Sequence, residues 1–578
     1  MGPGASLLEV TATRFIAVGL IAVSLSCTLA HAQPPLGDPT GRSGEPPPLL
    51  QEQPRRPPPV PILPPLPPPA EREVLPSLRV FVREIRVVGN TVLPPEEIAT
   101  VVAPYVNREL TAEDLEALRV ALTLLYINRG HINSGAILPD QAITEGTVTY
   151  QIIEGRVTEI DVEGNRWFRT GYLRRRLALG TGPPLNVNRL QEQLQLLLED
   201  PRIRRLNADL KPGLRPGEAT LTATVEERLP YKAWFTIDNY QSPSVGAERG
   251  IMTLEHQNLT GWGDVLTFRL GRSEGLDPLY DIRYAVPVTP YDTTLSFQYR
   301  KNSFKVIAEE FRVLEITSDS EIFTLGVRQP VYRTPTTEVA TEVIGERLSH
   351  NTTLLGEPFD LTPGARNGET VVTAIRWVQE VVHRSQNQVI AVRSRMSFGT
   401  DWLGATVRNG DAPDSHFFAW LGQFQAVRQF ESLLGTQAIF RADLQFAHER
   451  LLILEQMAVG GRYSVRGYRE NTFVRDNAFV TSLEVRVPLV RNRSWADYLQ
   501  LAPFVDYGRA WATLPPVDKP LDIASVGIGL RWGVTIPAPV EIRPSLEVYW
   551  GYPLRDIKTT GGDIQDKGVH FQFVLGFF

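Results

Sequence analysis

A serine-hydrolase-like motif is the first pattern in this sequence whose residues could do chemistry. Gly271-Arg272-Ser273-Glu274-Gly275 has the Gly-x-Ser-x-Gly spacing of a nucleophile elbow, in which a sharp strand-to-helix turn exposes the serine hydroxyl. The residues that follow, Leu276-Asp277-Pro278, open no helix. We therefore expect Ser273 to lie in a hairpin loop.

The other usual catalytic groups are also missing from the pattern. No two of the eight histidines lie within one helical turn of each other, and Cys27 is the only cysteine. The sequence has no Walker-type phosphate loop either, so nucleotide hydrolysis cannot power this protein. We predict no enzyme activity, no metal site and no cofactor, and the net charge of -6 argues against a nucleic-acid partner.

A buried charge pair is the remaining chemical possibility. The run Gly460-Gly461-Arg462-Tyr463-Ser464-Val465-Arg466-Gly467-Tyr468-Arg469-Glu470 carries several arginines, and Phe504-Val505-Asp506-Tyr507-Gly508 follows about forty residues later. A guanidinium held in a narrow space needs a carboxylate at bidentate range, and a glycine beside it allows a tight turn. On these residues alone, the default interpretation is that Arg466 is an ordinary exposed loop arginine and Asp506 an unrelated strand carboxylate. The elements around it must decide.

The start of the chain indicates export. Residues 1–32 read as a secretory signal peptide, with Arg14, an apolar run and a small-x-small cleavage site at Ala30-His31-Ala32. A lipoprotein signal at Cys27 is the alternative, although Ser24-Leu25-Ser26 fits it poorly. Residues 33–78 then form a linker whose 16 prolines between Pro34 and Pro69 predict an extended polyproline spacer. A docking site for another protein is the alternative function of this linker.

Two copies of a small domain follow the linker. Ile85-Arg86-Val87-Val88-Gly89-Asn90 recurs 75 residues later as Ile160-Asp161-Val162-Glu163-Gly164-Asn165. Each copy continues with two helical patterns and two alternating strands, and Thr111 with Asp114 caps the longer helix of the first copy. We predict two β-α-α-β-β domains, at 79–155 and 156–228.

Residues 229–578 are predicted to be an all-β barrel. Helical stripes disappear, and short alternating segments such as 294–300 place Leu295, Phe297 and Tyr299 opposite polar residues that include Arg300. An arginine opposite an apolar face suits a wet lumen better than a sandwich core, although a soluble sandwich or propeller is the alternative. At roughly 22 residues per strand and connection, this region holds about 16 antiparallel strands. No apolar run of helical-span length follows the signal, which leaves a closed barrel as the way across a membrane.

The repeated domains resemble POTRA domains, and the whole chain from residue 79 onward resembles the two-partner secretion transporters of the BamA-like superfamily. The segment from Leu125 to His131, followed by Ser134-Gly135, is similar to the helix-to-strand segment of the first POTRA domain in these transporters. The resemblance implies that Val465, Arg466, Gly467 and Tyr468 form the tip of a loop that folds back into the lumen. It also implies that Phe504, Asp506 and Gly508 form a strand motif whose carboxylate faces Arg466. Ser482–Leu489, Asn258–Asp264 and Ser525–Arg531 are weaker matches along the barrel.

The ends of the chain differ from the family pattern. The proline density leaves room for a pore-plugging helix only between Ala70 and Leu78. Phe573, Phe577 and Phe578 form an aromatic signal in the terminal strand, but Phe578 is one residue out of register with the stripe that ends at Phe577.

The resemblance implies an outer-membrane transporter that exports a partner exoprotein, haemolysin-like or adhesin-like, from periplasm to cell surface. Its POTRA domains would lie in the periplasm and bind the exoprotein by strand addition, near Ala136–Pro139 and Ile203–Leu210. Outer-membrane lipid and the barrel-assembly machinery are the other expected partners. A barrel-assembly insertase and a passive porin-like channel are the alternative functions.

Overall fold

The computed structural model describes residues 79–513, 521–559 and 562–578. The predicted signal peptide, the proline-rich linker and the segment considered for a plug helix lie outside these residues. Among the residues described, no helix combines the length and apolar character needed to cross a membrane.

The first domain is a three-stranded sheet covered by two helices, with a small extra ladder. Its sheet has the order β2-β5-β4, with β2 parallel to β5. The separate antiparallel pair of β1 and β3 was not predicted, because each strand has only four residues and too short an alternation to read. The elements are β1 (Arg79–Val82), β2 (Glu84–Val88), α1 (Pro95–Val102), β3 (Arg108–Thr111), α2 (Ala112–Asn128), β4 (Gly135–Ile137) and β5 (Thr147–Ile153).

The second domain repeats this plan without the extra ladder. Its sheet has the order β6-β8-β7. Gly89 and Gly164 lie at equivalent turns with positive φ, and a Cβ on either would lie 2.6 Å from a carbonyl oxygen of the central strand. The repeated Gly-Asn is therefore a steric requirement of the turn. The elements are β6 (Arg156–Glu163), α3 (Thr170–Ala178), α4 (Val187–Leu198), β7 (Ile203–Pro212) and β8 (Glu218–Glu227).

Hydrogen bonds join the two domains to each other through the segment from Leu125 to His131. The imidazole of buried His131 donates through Nδ1 to the carbonyl of Leu185 at 2.8 Å, and Val187 N–H donates to the carbonyl of Gly130 at 2.9 Å. This segment therefore fixes the contact between the domains as well as ending α2.

The second domain is docked on two connections between barrel strands, residues 257–264 and 288–293. Trp262 lies under the guanidinium groups of Arg169 and Arg175, at 5.6 and 5.4 Å from the ring centroid. Arg176 is buried and pairs with Asp292, which also accepts a 2.5 Å hydrogen bond from Arg333 of the barrel.

A closed antiparallel barrel of sixteen long strands forms the rest of the described chain, and β27 pairs with β9 to close it. A two-residue strand, β16 (Glu357–Pro358), extends the end of β15. The barrel strands are β9 (Tyr231–Asp238), β10 (Arg249–His256), β11 (Val265–Ser273), β12 (Leu276–Pro287), β13 (Thr294–Lys305), β14 (Thr317–Arg333), β15 (Thr337–Leu354), β17 (Glu369–Arg384), β18 (Gln388–Thr400), β19 (Phe418–Phe430), β20 (Thr436–Ala447), β23 (Asn477–Arg493), β24 (Ala496–Trp511), β25 (Leu521–Gly533), β26 (Ile542–Pro553) and β27 (Val569–Phe577).

The barrel is apolar outside and charged inside, as the alternation in β13 predicts. Leu295 and Phe297 are 43% and 41% exposed on the outer face. Arg300 is only 3% exposed, and its guanidinium donates a hydrogen bond to Asp281 of the neighbouring β12 at 2.6 Å. Exposed apolar side chains suit contact with lipid, and paired charges suit a polar lumen.

Candidate functional site in the barrel lumen

A long connection between β20 and β23 folds into the barrel and forms the candidate site. We call residues 448–476 the lumen loop. Its two short strands, β21 (Met457–Val459) and β22 (Phe473–Arg475), pair antiparallel and carry a tip that contains the Val465-Arg466-Gly467-Tyr468 run. The tip lies against β23, β24, β25 and β26.

Arg466 is held by the carboxylate of Asp506 on β24. Its Nε and Nη2 donate to the two Asp506 oxygens at 2.8 Å each, and its backbone N–H donates to the same carboxylate at 3.0 Å. Arg466 is 3% exposed and Asp506 is 0% exposed. The bidentate geometry is the strongest that an arginine and a carboxylate can form, and burial removes screening by salt.

Further groups on the wall complete the surroundings of this guanidinium. Glu484 on β23 accepts from Nη1 of Arg466, and Ser482 accepts from Nη2 at 3.0 Å. The ring of Phe504 lies 3.6 Å from the guanidinium carbon, in cation–π contact. Phe504 and Asp506, two residues apart on β24, therefore face the lumen together and hold one arginine.

Gly467 and Gly508 let the loop approach the wall closely. Gly467 has φ +89°, and a Cβ there would lie 2.8 Å from the carbonyl oxygen of Gly551 on β26. A Cβ on Gly508 would lie 2.5 Å from Val459 and 2.7 Å from Val465 of the loop. Any larger residue at either position would push the tip away from the wall.

Val465 and Tyr468 attach the tip beside the charge pair. Val465 is buried in an apolar cluster between the loop and the walls of β23 to β25, which includes Val459, Val480 and Ile523. The Tyr468 hydroxyl donates to the carbonyl of Ala524 at 2.9 Å and is also 3.0 Å from that of Arg555. Each residue of the tip thus makes a different contact with the wall. Val465 makes an apolar contact and Arg466 an ion pair. Gly467 allows a close backbone approach, and Tyr468 makes a hydrogen bond through its hydroxyl.

A second charged group lines the space beside the tip. Glu547 on β26 accepts from Arg462 of the loop at 2.9 Å and from Arg531 of β25 at 2.5 and 2.9 Å. A cavity of about 170 Å³ lies between these groups and is bordered by Arg441 and Arg486 of the facing strands. The arrangement holds opposite charges in fixed positions around a small cavity.

The aromatic residues of the last strand lie apart from this site. Phe573 pairs with Ile237 and Phe577 with Ala233, at the seam between β27 and β9. Phe578 follows the strand, and its ring packs against Trp234 at 5.6 Å and under the Arg543 guanidinium at 4.5 Å. These two contacts therefore hold the Phe578 ring on the face of the sheet opposite the apolar stripe.

Ser273 is the last residue of β11 and adjoins the hairpin turn to β12, where its sequence neighbours predict a hairpin. Its hydroxyl donates to the carbonyl of Val245 at 2.8 Å and accepts from the backbone N–H of Leu276. It is a turn-forming group.

Sequence reasoning did not identify Glu484 as a second carboxylate partner of Arg466, nor Arg486 beside it. Glu484 and Arg486 alternate with apolar residues in β23, and that alternation could have identified two lumen-facing charges. Arg376 was also missed, although it stands alone in the apolar run Val371-Val372-Thr373-Ala374-Ile375-Arg376-Trp377-Val378. Its partner Glu455 lies in an irregular segment, where no periodicity points to it.

Two family models match this chain. The model described as haemolysin secretion/activation protein ShlB/FhaC/HecB matches residues 217–532, and the ShlB-type POTRA domain model matches residues 80–155.

Curated relatives and solved structures agree with these matches. The outer membrane transporter CdiB of Dickeya dadantii (strain 3937) is 26% identical over 405 residues, which cover 67% of this chain and 69% of the relative. The heme/hemopexin transporter protein HuxB of Haemophilus influenzae (strain 86-028NP) is 23% identical over 461 residues, covering 77% and 79%. The structure of CdiB from Escherichia coli has a TM-score of 0.65 at 21% identity and covers 87% of this chain and 91% of its own, which is a likeness of fold.

Proposed function

The chain belongs to the haemolysin secretion/activation family ShlB/FhaC/HecB and is an outer-membrane transporter for a partner exoprotein; from this premise we propose that the lumen loop controls passage through its barrel. The single observation that carries the proposal is the buried bidentate pair of Arg466 and Asp506. The chain's role is then transport alone, with no reaction of its own.

The loop can control passage because it occupies the lumen and its tip is held there by a charge pair. A buried ion pair is weak evidence for stability, but removal of one partner leaves an uncompensated charge. A loop held in this way has one well-defined seated position. Release of the pair would allow the tip of the loop to move away from β24.

The front domains, which we assign to residues 79–155 and 156–228 ahead of a barrel at 229–578, would receive the exoprotein. In each sheet the strand near the predicted binding segment is an edge, β4 in the first domain and β7 in the second. Edge strands leave backbone N–H and C=O groups available for an added strand. The ten-residue β7 offers a longer ladder than the three-residue β4, which favours the second domain as the main contact.

The barrel itself would be inserted by the barrel-assembly machinery, which we propose reads Phe573, Phe577 and Phe578 at the terminal strand. The exposed apolar side chains around the barrel would contact outer-membrane lipid. Since no nucleotide site is evident in the sequence, the folding of the exoprotein outside the cell would supply the free energy for movement.

Export measured in cells tests the proposed function. Cells that make the chain and its partner exoprotein should release less exoprotein when Arg466→Ala replaces the native residue, because the tip then has no defined position from which passage is controlled. The barrel should still enter the membrane with heat-dependent gel mobility. Arg272→Ala, which removes an arginine from an exposed pair with Asp277, is the matched control and should export normally. Unchanged export by Arg466→Ala would contradict a controlling role for the pair.

Deletion of residues 79–228 separates the transporter from a passive channel. A transporter whose front domains bind the exoprotein should lose export. A porin-like barrel should conduct ions as before, and its behaviour should not depend on these residues.

A further inference from the structure

The lumen loop has a second buried ion pair at its base, on another part of the wall. Arg376 of β17 donates from Nη2 and Nη1 to the two carboxylate oxygens of Glu455, at 2.6 and 2.9 Å. Glu455 lies in the loop just before β21, and its side chain is 5% exposed. Glu346 of β15 and Ser397 of β18 also accept from this guanidinium, at 2.6 and 2.8 Å.

The two pairs have opposite polarity and different places on the wall. We call Arg466–Asp506 the tip pair and Arg376–Glu455 the base pair. The arginine belongs to the loop in the tip pair and to the wall in the base pair. With β9 counted first and β16 left out, β17 is the eighth and β24 the thirteenth of the sixteen strands, so the loop is held on two separated parts of the lumen wall.

Apolar packing surrounds the base pair without replacing it. The segment that carries Glu455 buries Leu451, Leu452 and Leu454 against side chains of β14, β15, β17 and β19. These contacts alone would hold the segment to the wall, but apolar contacts tolerate sliding more readily than a bidentate charge pair does. The pair adds a defined position that is lost in one step when either partner is removed.

We propose that Arg376 and Glu455 are positioning residues that hold the base of the lumen loop independently of the tip pair, so that full clearance of the lumen requires both pairs to open. This inference rests on the proposed function of the loop. It adds that loss of the tip pair alone releases only the part of the loop around Arg466. Loss of the base pair alone releases only the part around Glu455.

Site-specific labelling of the full chain in intact cells tests the proposal. The only natural cysteine, Cys27, lies in the predicted signal peptide, so Ile453→Cys, at a residue packed in the base cluster, reports on the base and Ser464→Cys on the tip, each as a single reactive thiol. A membrane-impermeant maleimide is the probe. Glu455→Gln is the test substitution because it keeps the shape of the side chain and leaves the barrel wall unchanged.

We expect Glu455→Gln to raise the labelling rate at Ile453→Cys by about tenfold, through more frequent local opening, and to change it at Ser464→Cys by less than about twofold. Arg466→Ala should give the reverse pattern. The matched control is Glu274→Gln, the same change in an exposed pair with Arg312, which should alter neither rate. Glu455→Asp, which keeps the charge on a shorter side chain, should give a smaller rise at the base than Glu455→Gln.

The outcomes separate this inference from the proposed function. An unchanged labelling rate of Ile453→Cys in Glu455→Gln, or an equal rise at both reporters, would overturn independent positioning by the base pair. Protection of Ser464→Cys in Arg466→Ala would instead contradict the tip pair on which the proposed function depends. Heat-dependent gel mobility verifies a folded barrel in each case, and if Glu455→Gln fails to fold, Glu455→Asp carries the same test.

Discussion

The second periplasmic domain and the barrel lumen bury different kinds of side chain. The fully buried side chains of the domain include Leu185, Leu190 and Leu194, whereas those of the lumen include Asp506 and Ser525. The periplasmic domain is surrounded by water and gathers its apolar surface inward. The barrel places apolar side chains toward lipid, so its interior is left to polar and charged groups that must pair with each other. The front domains are therefore held by apolar packing, whereas the lumen loop combines apolar contacts with two buried charge pairs.

Among changes to the lumen loop and its charged partners, removal of the Asp506 carboxylate should have the largest effect. Asp506→Ala leaves Arg466 buried with only part of its partners, which should weaken docking of the loop by about 3–5 kcal/mol. The released tip carries Arg462, Arg466 and Arg469, so trypsin added to intact cells should cut the chain there. Asp522→Ala, which breaks an exposed pair with Arg555, is the control and should leave the tip resistant. Resistance in both variants would show that charge does not hold the loop.

A substitution in the apolar core of the first domain should have a comparable or slightly smaller effect, in this case on the stability of that domain. Leu118→Ala in α2 creates a cavity at a fully buried position and should destabilise the first domain by about 2–5 kcal/mol. Limited proteolysis of the purified full chain should cut the periplasmic region earlier, with the barrel's gel mobility unchanged. Leu124→Ala in the same helix is the exposed control. If the barrel lost its folded mobility as well, the two regions would not be held independently.

The sequence predicted the packed region more completely than the lumen. The Gly-Asn repeat and the leucine stripe of α2 follow from local periodicity, and the capping pair Thr111 and Asp114 marks the start of that helix in the structure. Alternation in β13 likewise predicts which faces turn to lipid and lumen. The contacts of Glu484 and Arg376 could not be predicted, because they depend on strand register and on a loop that crosses the lumen. Arg466 and Asp506 were singled out only through a family resemblance.

A methyl group at the close approach should have an intermediate effect. Gly467→Ala adds a Cβ in the left-handed region, 2.8 Å from the Gly551 oxygen, and should cost about 1–3 kcal/mol of loop docking. Trypsin sensitivity of the tip should rise by less than in Asp506→Ala. Gly345→Ala on β15, where nothing lies within 4 Å, is the control. A variant as resistant as the native chain would mean that the tip has room to shift.

A helix cap should give a smaller effect on the packed side. Thr111 accepts a hydrogen bond from Asp114 N–H at 3.1 Å, and Thr111→Ala should cost about 1 kcal/mol. Hydrogen exchange of the first-turn amides of α2 in the purified full chain measures this loss. Exchange rates equal to those of the native chain would contradict a stabilising cap.

The reciprocal half of this cap should give the smallest effect, and it depends on pH. The backbone N–H of Thr111 is the main cause that lowers the pKa of the Asp114 carboxyl below its ordinary value of 3.8, with help from the Thr111 hydroxyl. A lowered pKa in the folded state means that this contribution is fully present above the ordinary value and is lost as pH falls through the lowered one. Protection of the first-turn amides, corrected for intrinsic exchange, should therefore weaken as pH falls below the ordinary value of 3.8. Asp114→Asn should remove that dependence.

Ionic current through single molecules of the full chain in planar lipid bilayers tests the central claim most directly, since it reports whether the seated loop obstructs the lumen. The native chain should pass a small current, Arg466→Ala a larger and less steady one, and Arg466→Ala combined with Glu455→Gln the largest. Equal currents in all three proteins, with folded barrels in each, would contradict a lumen controlled by a charge-held loop.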